Sequence, residues 1–273
     1  MAVSHRAPAL APDQLDHFRD RGFLVIPSLL RPSEIDELAT TFQKLHERGS
    51  IPGCFAIGTP EEIAADPLKL YPRMMHPHRI NDVALRYMLH PAIMDVLAQL
   101  LGEPPLAAQS MFYWKPPKAR GQALHQDNFY LRVKPGTCIA AWMPVDDTDE
   151  ENGCLMVAPG SHHLDIVCPE EADPTLSFTR DFVPVPKGLQ EIPVVMKRGD
   201  VLFFGGNLIH GSYPNRSSDR FRRSFICHYV GESAKEIARF YKPLYRRDGT
   251  EVTIPDAPTG GGPCGGPEAM GPH

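Results

Sequence analysis

Hydrophobic positions in the first hundred residues recur at helical spacing, whereas beyond residue 110 they fall into short runs that suit strands. Pro12-Asp13-Gln14-Leu15 opens a polar-apolar stretch that runs to Arg21, with Gly22 placed to cap its C-terminus. Phe23-Leu24-Val25-Ile26 reads as a short strand closed by Pro27. A second helix is predicted from Ser33 to about His46, because Ile35, Leu38, Phe42 and Leu45 share one face. The amphipathic segment from Ile80 to Leu101 is divided by Pro91 into two helices.

From Ser110 onward, apolar runs alternate with Gly, Pro and charged turns, the pattern of a β sandwich or barrel. Ile139 to Val145 and Arg222 to Val230 are two such runs. Ile192 to Met196 and Val201 to Phe204 flank Lys197-Arg198-Gly199-Asp200, which predicts a hairpin. The expected organisation is a single domain over 1–273, with helical support about 12–101, a β core about 107–231 and a C-terminal extension about 232–273.

The chain of 273 residues suits one well-buried domain. Its 28 basic and 33 acidic side chains give a formal charge of -5, which argues against nucleic acid as a partner. No apolar run reaches the roughly 18 residues of a membrane span, and His5, Arg6 and prolines interrupt the opening residues. A cytoplasmic protein without a membrane partner is the expectation. Six scattered cysteines are expected as free thiols. The tail around Thr259–Gly266 is too glycine-rich to pack by its side chains and is expected to be disordered.

The chemistry concentrates in Leu124-His125-Gln126-Asp127 and in His210, 85 positions after His125. On an extended strand, His125 and Asp127 face one way and Gln126 the other. Joined by His210, they form the two-histidine, one-carboxylate set that leaves positions open on iron(II) for a chelator and molecular oxygen. Arg222, twelve residues after His210, can clamp the far carboxylate of 2-oxoglutarate while its keto-acid end meets the metal. The alternative for Arg222 is membership of a solvated basic cluster with Arg216, Arg220 and Arg223.

Around these words the sequence resembles the phytanoyl-CoA dioxygenase family. The likeness covers most of the chain and is strongest from Met111 to Val230. It runs through Gly22-Phe23-Leu24-Val25-Ile26, the His125-Gln126-Asp127 motif, Asn152-Gly153-Cys154 to His162, His210, and Phe221-Arg222-Arg223-Ser224. The resemblance implies a mainly β, double-stranded β-helix core of the jelly-roll, cupin-like kind with flanking N-terminal helices. It also implies iron(II), 2-oxoglutarate and molecular oxygen as the reactants, with metal ligands at His125, Asp127 and His210 and the co-substrate arginine at Arg222. Phe112 to Pro117, His125 to Leu131 and the glycine-rich tail around Cys264 further resemble bacterial members that act on small polar metabolites, aminophosphonates and aminated sugars among them. A small polar organic substrate is therefore expected in preference to an acyl-CoA, and hydroxylation or further oxidation as the outcome.

Gln109, Tyr113, Trp142 and Ser212 are candidates for co-substrate contact, and Lys115, Asn128 and Tyr130 for substrate contact. Each has a plainer role available: aromatic packing for Trp142 and Tyr130, turn closure for Asn128 and Ser212, and a solvent-facing cation for Lys115. His162 and His163 are expected to be structural, His228 to be a hydrogen-bonded core histidine, and Asp146 to Glu151 to be a solvated loop. Two other function classes fit parts of the pattern. A cupin-type zinc hydrolase would use the three ligands but leave Arg222 without a task, and a non-catalytic barrel would bind a small molecule without turnover.

Overall fold

The computed structural model describes residues 6–258 and Cys264; the expectation about the glycine-rich tail otherwise lies outside the described residues. In chain order the N-terminal part comprises α1 (Pro12–Arg21), β1 (Phe23–Ile26), α2 (Pro32–Glu47), α3 (Pro60–Ala65), β2 (Met74–Met75), α4 (Asp82–Met88) and α5 (Pro91–Leu101). There follow β3 (Pro105–Tyr113), β4 (Gln122–His125), α6 (Asp127–Leu131), β5 (Ile139–Pro144), β6 (Leu155–Val157), β7 (Glu170–Glu171) and β8 (Asp181–Phe182). The chain continues with β9 (Ile192–Val194), β10 (Val201–Gly205), β11 (His210–Ser212), β12 (Ser224–Gly231), β13 (Leu244–Tyr245) and β14 (Glu251–Val252).

The early helices form where the sequence signals them. Proline occupies the first turn of α1, α2 and α5, where its missing N–H costs nothing. Gly22 ends α1 with φ 82°, and a Cβ there would collide with the His162 ring.

A major sheet in the order β1-β10-β5-β12-β3-β13-β14, with β2 also on β3, faces a minor sheet in the order β4-β11-β6-β9. The two sheets close on a shared core in which Met111, Trp142, Leu202 and Ile226 meet Leu155, Val157 and Val194. The fold is a double-stranded β-helix of the cupin kind. Alternation along β12 divides its two faces: Ile226 joins that inner core, whereas Phe225, Cys227 and Tyr229 join the cluster beneath the helices. There Ile35, Leu38, Phe42 and Leu45 of α2 are buried, and Phe42 stacks on Phe112 of β3 at 4.0 Å. Burying four such side chains contributes roughly 1.5–3 kcal/mol each before the cost of ordering them.

Two expectations fail here. Ile192–Val194 and Val201–Gly205 do not pair as a hairpin: β9 lies on β6 in the minor sheet, and β10 lies between β1 and β5 in the major one. The turn between them instead carries the chain from one sheet to the other. Cys168 and Cys264 are joined in a disulfide, so the six cysteines are not all free; the other four are buried thiols. Spacing alone cannot reveal a pair separated by 96 positions.

Candidate metal centre and co-substrate clamp

His125 ends β4 and His210 begins β11, and the two are direct partners across that antiparallel pair. Gly211 permits the approach, since a Cβ there would lie 2.7 Å from the Gln122 carbonyl oxygen. Asp127 stands differently from its expected place on the His125 strand. The strand stops at His125, Gln126 is still extended at φ -122°, and Asp127 is the first residue of α6. Gln126 faces away from His125 and Asp127 as expected, but it is buried. Its amide donates to the Asn207 carbonyl at 2.8 Å, and its side-chain oxygen accepts from the Val167 N–H at 2.8 Å, which ties the turn to two loops.

One ligand atom from each of His125, Asp127 and His210 lies within 4.8 Å of the others, and all three residues are buried. Asp127 Oδ1 is 3.6 Å from the Nε2 atoms of both histidines. Each histidine uses its other nitrogen on backbone: His125 Nδ1 donates to the Ala123 carbonyl at 2.8 Å, and His210 Nδ1 to the Leu208 carbonyl at 2.9 Å. That bond fixes the tautomer in which Nε2 carries no proton and can offer its lone pair. Burial pushes His210 down to about 4 even though Asp127 pulls the other way, so the ring is neutral and able to ligate near pH 7. Two imidazole nitrogens and a carboxylate oxygen suit iron(II) with open positions.

The second oxygen, Asp127 Oδ2, accepts a 2.9 Å hydrogen bond from His228 Nε2. The expectation of a hydrogen-bonded core histidine therefore holds, but its partner is a member of this cluster. His162 is structural, its Nε2 donating to the Arg19 carbonyl at 2.9 Å, and neither it nor His163 joins the cluster. Gln122 carried no signal in the sequence. Its amide nitrogen sits 3.2 Å from His125 Nε2, three residues away, because an irregularity opposite β11 breaks the simple alternation of faces.

Arg222 lies just before β12 and exchanges both backbone hydrogen bonds with Lys115, at 2.9 and 3.1 Å. Its guanidinium is 3% exposed, donates from Nε to Gly153 O at 3.1 Å and from Nη1 to Ser224 Oγ at 3.0 Å, and lies 5.6 Å from the centre of the Trp142 ring. Burial lowers it to about 10, so it stays charged at neutral pH. Its neighbours behave otherwise. Arg223 pairs with Asp146 through two bonds of 2.6 and 2.9 Å, and Arg220 with Asp149 at 2.7 and 3.0 Å. Lys197 takes Asp147 at 2.9 Å. The acidic run from Asp146 is thus a surface loop, as expected, most of whose carboxylates are ion-paired, and Arg222 does not belong to a solvated basic cluster.

Lys115 is not the solvent-facing cation its two following prolines suggest. It is 2% exposed, and Nζ donates to Ser212 Oγ at 2.8 Å and to the Tyr213 carbonyl at 2.5 Å. Burial, with Arg222 nearby, holds its ammonium well below the ordinary value. Among the described residues neither Lys115 nor Arg222 has a carboxylate partner. A narrow cavity is lined by both ligand histidines and by Tyr113, Trp142, Ser212 and Arg222. Two others adjoin it: one of about 470 Å³ sharing Gln122 and Ser212, and one of about 250 Å³ sharing Tyr113 and Arg222 and bordered by Lys115.

The remaining candidates divide. Gln109 is buried opposite His228 across β3 and β12. Tyr113 receives a long 3.4 Å bond from Arg73. Asn128 closes a turn, its side-chain oxygen accepting from the Val133 N–H at 3.0 Å. Tyr130 donates to Asp181 Oδ2 at 2.6 Å.

A sequence profile described as phytanoyl-CoA dioxygenase matches residues 18–224. The peroxisomal phytanoyl-CoA dioxygenase of Rattus norvegicus is 27% identical over 244 residues, covering 84% of this chain and 71% of that protein. The phytanoyl-CoA dioxygenase of Arabidopsis thaliana is 28% identical over 256 residues, covering 81% and 89%. Among solved structures, the epimerase SnoN in complex with Fe3+, alpha ketoglutarate and nogalamycin RO superimposes with a TM-score of 0.64 at 25% identity, over 85% of each chain. The carbocyclase SnoK from nogalamycin biosynthesis shares the fold, with a TM-score of 0.66 at 21% identity over 83% of this chain and 86% of its own.

Proposed function

The chain belongs to the phytanoyl-CoA dioxygenase family, and from that premise we propose that His125, Asp127 and His210 hold the metal, that Arg222 anchors the distal carboxylate of 2-oxoglutarate, and that the substrate is a compact polar molecule. The protein is a non-haem, iron(II)- and 2-oxoglutarate-dependent oxygenase. The observation that carries the residue assignment is one cavity walled by His125, His210 and a buried arginine that meets no carboxylate among the described residues. A zinc hydrolase gives that arginine no task.

Bound there, iron(II) supplies oxygen activation, and 2-oxoglutarate supplies electrons by decarboxylating to succinate. The protein's contribution is placement. His125 and His210 present Nε2 because their Nδ1 protons are held on backbone carbonyls. Arg222 offers a charged donor to the distal carboxylate from a fixed position over Trp142, and Lys115, held on Ser212, is a second donor that an incoming carboxylate would draw to its ammonium form. Phe204 packs 4.4 Å from the His210 ring and helps keep bulk water from the ligand side.

The two cavities that adjoin the metal cavity, about 470 and 250 Å³, suit a compact molecule better than a pantetheine-linked acyl chain. Against this stands the acyl-CoA reading, favoured by the names of the curated relatives. The test measures succinate and oxidised product together across aminophosphonates, aminated sugars and acyl-CoAs, omitting iron(II), 2-oxoglutarate and oxygen in turn. Coupled turnover with a compact polar compound, only when all three are present, is expected. Turnover confined to acyl-CoA would overturn the substrate assignment and leave the enzyme class intact.

A further inference from the structure

His228 stands at the centre of the major sheet, directly opposite Gln109 of β3 on one side and Ala140 of β5 on the other. Its side chain and that of Asp127 are both 0% exposed, and Nε2 meets Oδ2 at 2.9 Å across 101 positions of sequence. The bond therefore joins the short helix α6, which follows a turn, to the middle of a strand hydrogen-bonded along both edges. The β12–β3 register shifts between His228 and Tyr229, a local irregularity of the kind that re-aims a side chain.

A carboxylate can meet a metal through one oxygen or through both. Here Oδ1 is directed to the two histidine nitrogens, at 3.6 Å from each, while Oδ2 is occupied by an N–H donor. A charge-assisted hydrogen bond of this kind holds the carboxylate plane against rotation. Loss of the donor leaves the carboxylate plane free to rotate, so that Oδ1 is no longer held beside the two histidine nitrogens and metal affinity falls. The two histidine ligands are oriented by backbone carbonyls, which no side-chain substitution removes. The carboxylate is oriented by a side chain, so its orientation can be tested by substitution.

We propose that His228 is a positioning residue which fixes Asp127 for one-oxygen ligation through Oδ1. The inference rests on the assignment of Asp127 as a metal ligand, and it assigns a task to a histidine that could otherwise serve only to fill the core.

The test compares His228→Leu, His228→Asn, His228→Gln and Asp127→Ala by anaerobic titration with iron(II) and by the visible ligand-field bands of cobalt(II) bound in its place. Urea unfolding of the metal-free proteins serves as the control. His228→Leu is expected to bind iron(II) 10- to 100-fold more weakly, with altered cobalt bands. His228→Gln, whose amide N–H can reach Oδ2, is expected to recover most of the affinity and the native bands. His228→Asn, polar but too short, should behave like the leucine variant. Native affinity and bands in His228→Leu would overturn the proposal, as would a glutamine variant no better than asparagine. Should the leucine variant fail to fold, the comparison of glutamine with asparagine decides. If Asp127→Ala itself keeps native affinity, the ligand assignment has failed, which is distinguishable from failure of His228 alone.

Discussion

Replacing Lys115 with methionine should separate co-substrate binding from folding. The side chains are close in length, but the change removes a buried ammonium whose bonds run to Ser212 Oγ and the Tyr213 carbonyl. In the ligand-free protein two effects oppose each other. Two hydrogen bonds from a charged donor disappear, each contributing about 1.5–3 kcal/mol. Against that, a buried amine is removed which burial and Arg222 push towards its neutral form and which has no carboxylate partner among the described residues, and replacing such a group with apolar volume is often neutral or stabilising. The net change in unfolding free energy is expected to stay within about 1 kcal/mol of zero.

Binding of 2-oxoglutarate has no such cancellation if, as proposed, its distal carboxylate supplies a counter-charge that draws Lys115 to its ammonium form, since among the described residues Lys115 meets no carboxylate. At a separation of about 5 Å and an effective dielectric constant of about 20, one ammonium attracts a carboxylate by about 3 kcal/mol. Part of that is lost in desolvating the ligand, which leaves an expected 10- to 100-fold rise in Kd, or about 1.4–2.7 kcal/mol. Anaerobic calorimetry on the iron(II)-loaded protein measures it, with 2-oxopentanoate as the comparison because it keeps the keto acid and lacks the distal carboxylate. That compound should bind the variant and the native protein alike. A Kd for 2-oxoglutarate within twofold of native, or an equal loss for both keto acids, would refute the reasoning.

Asp127→Ala should leave the circular dichroism spectrum native while iron(II) affinity falls at least about 100-fold, since it removes a ligand and only one small side chain; retained affinity would refute the ligand role. Burial pushes His76 down to about 2 and His78 down to about 3, far below the ordinary value of 6.5. The unfolded chain therefore takes up their protons first, so stability is full above pH 6.5 and is lost as pH falls towards those values, by about 1.4 kcal/mol per pH unit for each ring. Urea unfolding at pH 7.0 and 5.5 should show this loss, and His78→Asn should reduce it; an unchanged dependence would contradict the neutral, buried assignment. Thiol titration of unfolded, unreduced protein should return four thiols, matching the four free cysteines, whereas six would exclude the disulfide.

Most of what the sequence made legible is local. Proline at a first turn, glycine after a last one and apolar spacing over a few residues are sufficient for α1, β1, α2 and the break at Pro91, because each depends on neighbours in the chain. The proposed ligands are legible for another reason: two histidines and a carboxylate carry metal chemistry in their own side chains. The failures lie where long-range pairing decides. The runs around Lys197–Asp200 look like a hairpin, but their partners are supplied by β6, β1 and β5. Lys115 looks exposed because Pro116 and Pro117 end its strand, yet its backbone pairs with Arg222, and that pairing carries it inside.

Arg220 and Arg222 show why periodicity alone cannot identify the clamp. They have the same parity, so alternation predicts the same fate for both, yet Arg220 lies in an ion-paired strip and Arg222 in the core. Strand pairing separates them: Arg222 is bonded through its backbone to Lys115, whereas Arg220 precedes that pairing and reaches Asp149 and Glu151. The acidic run then selects among the basic residues. Asp146 takes Arg223, Asp147 takes Lys197, and Asp149 takes Arg220, all at or near the surface. Among the described residues, Arg222 and Lys115 are left inside with only neutral partners. A fold that supplies carboxylates to nearby surface cations and withholds them from two buried ones has left the compensating charge to be supplied by a ligand, and the distal carboxylate of 2-oxoglutarate is a group of the required sign.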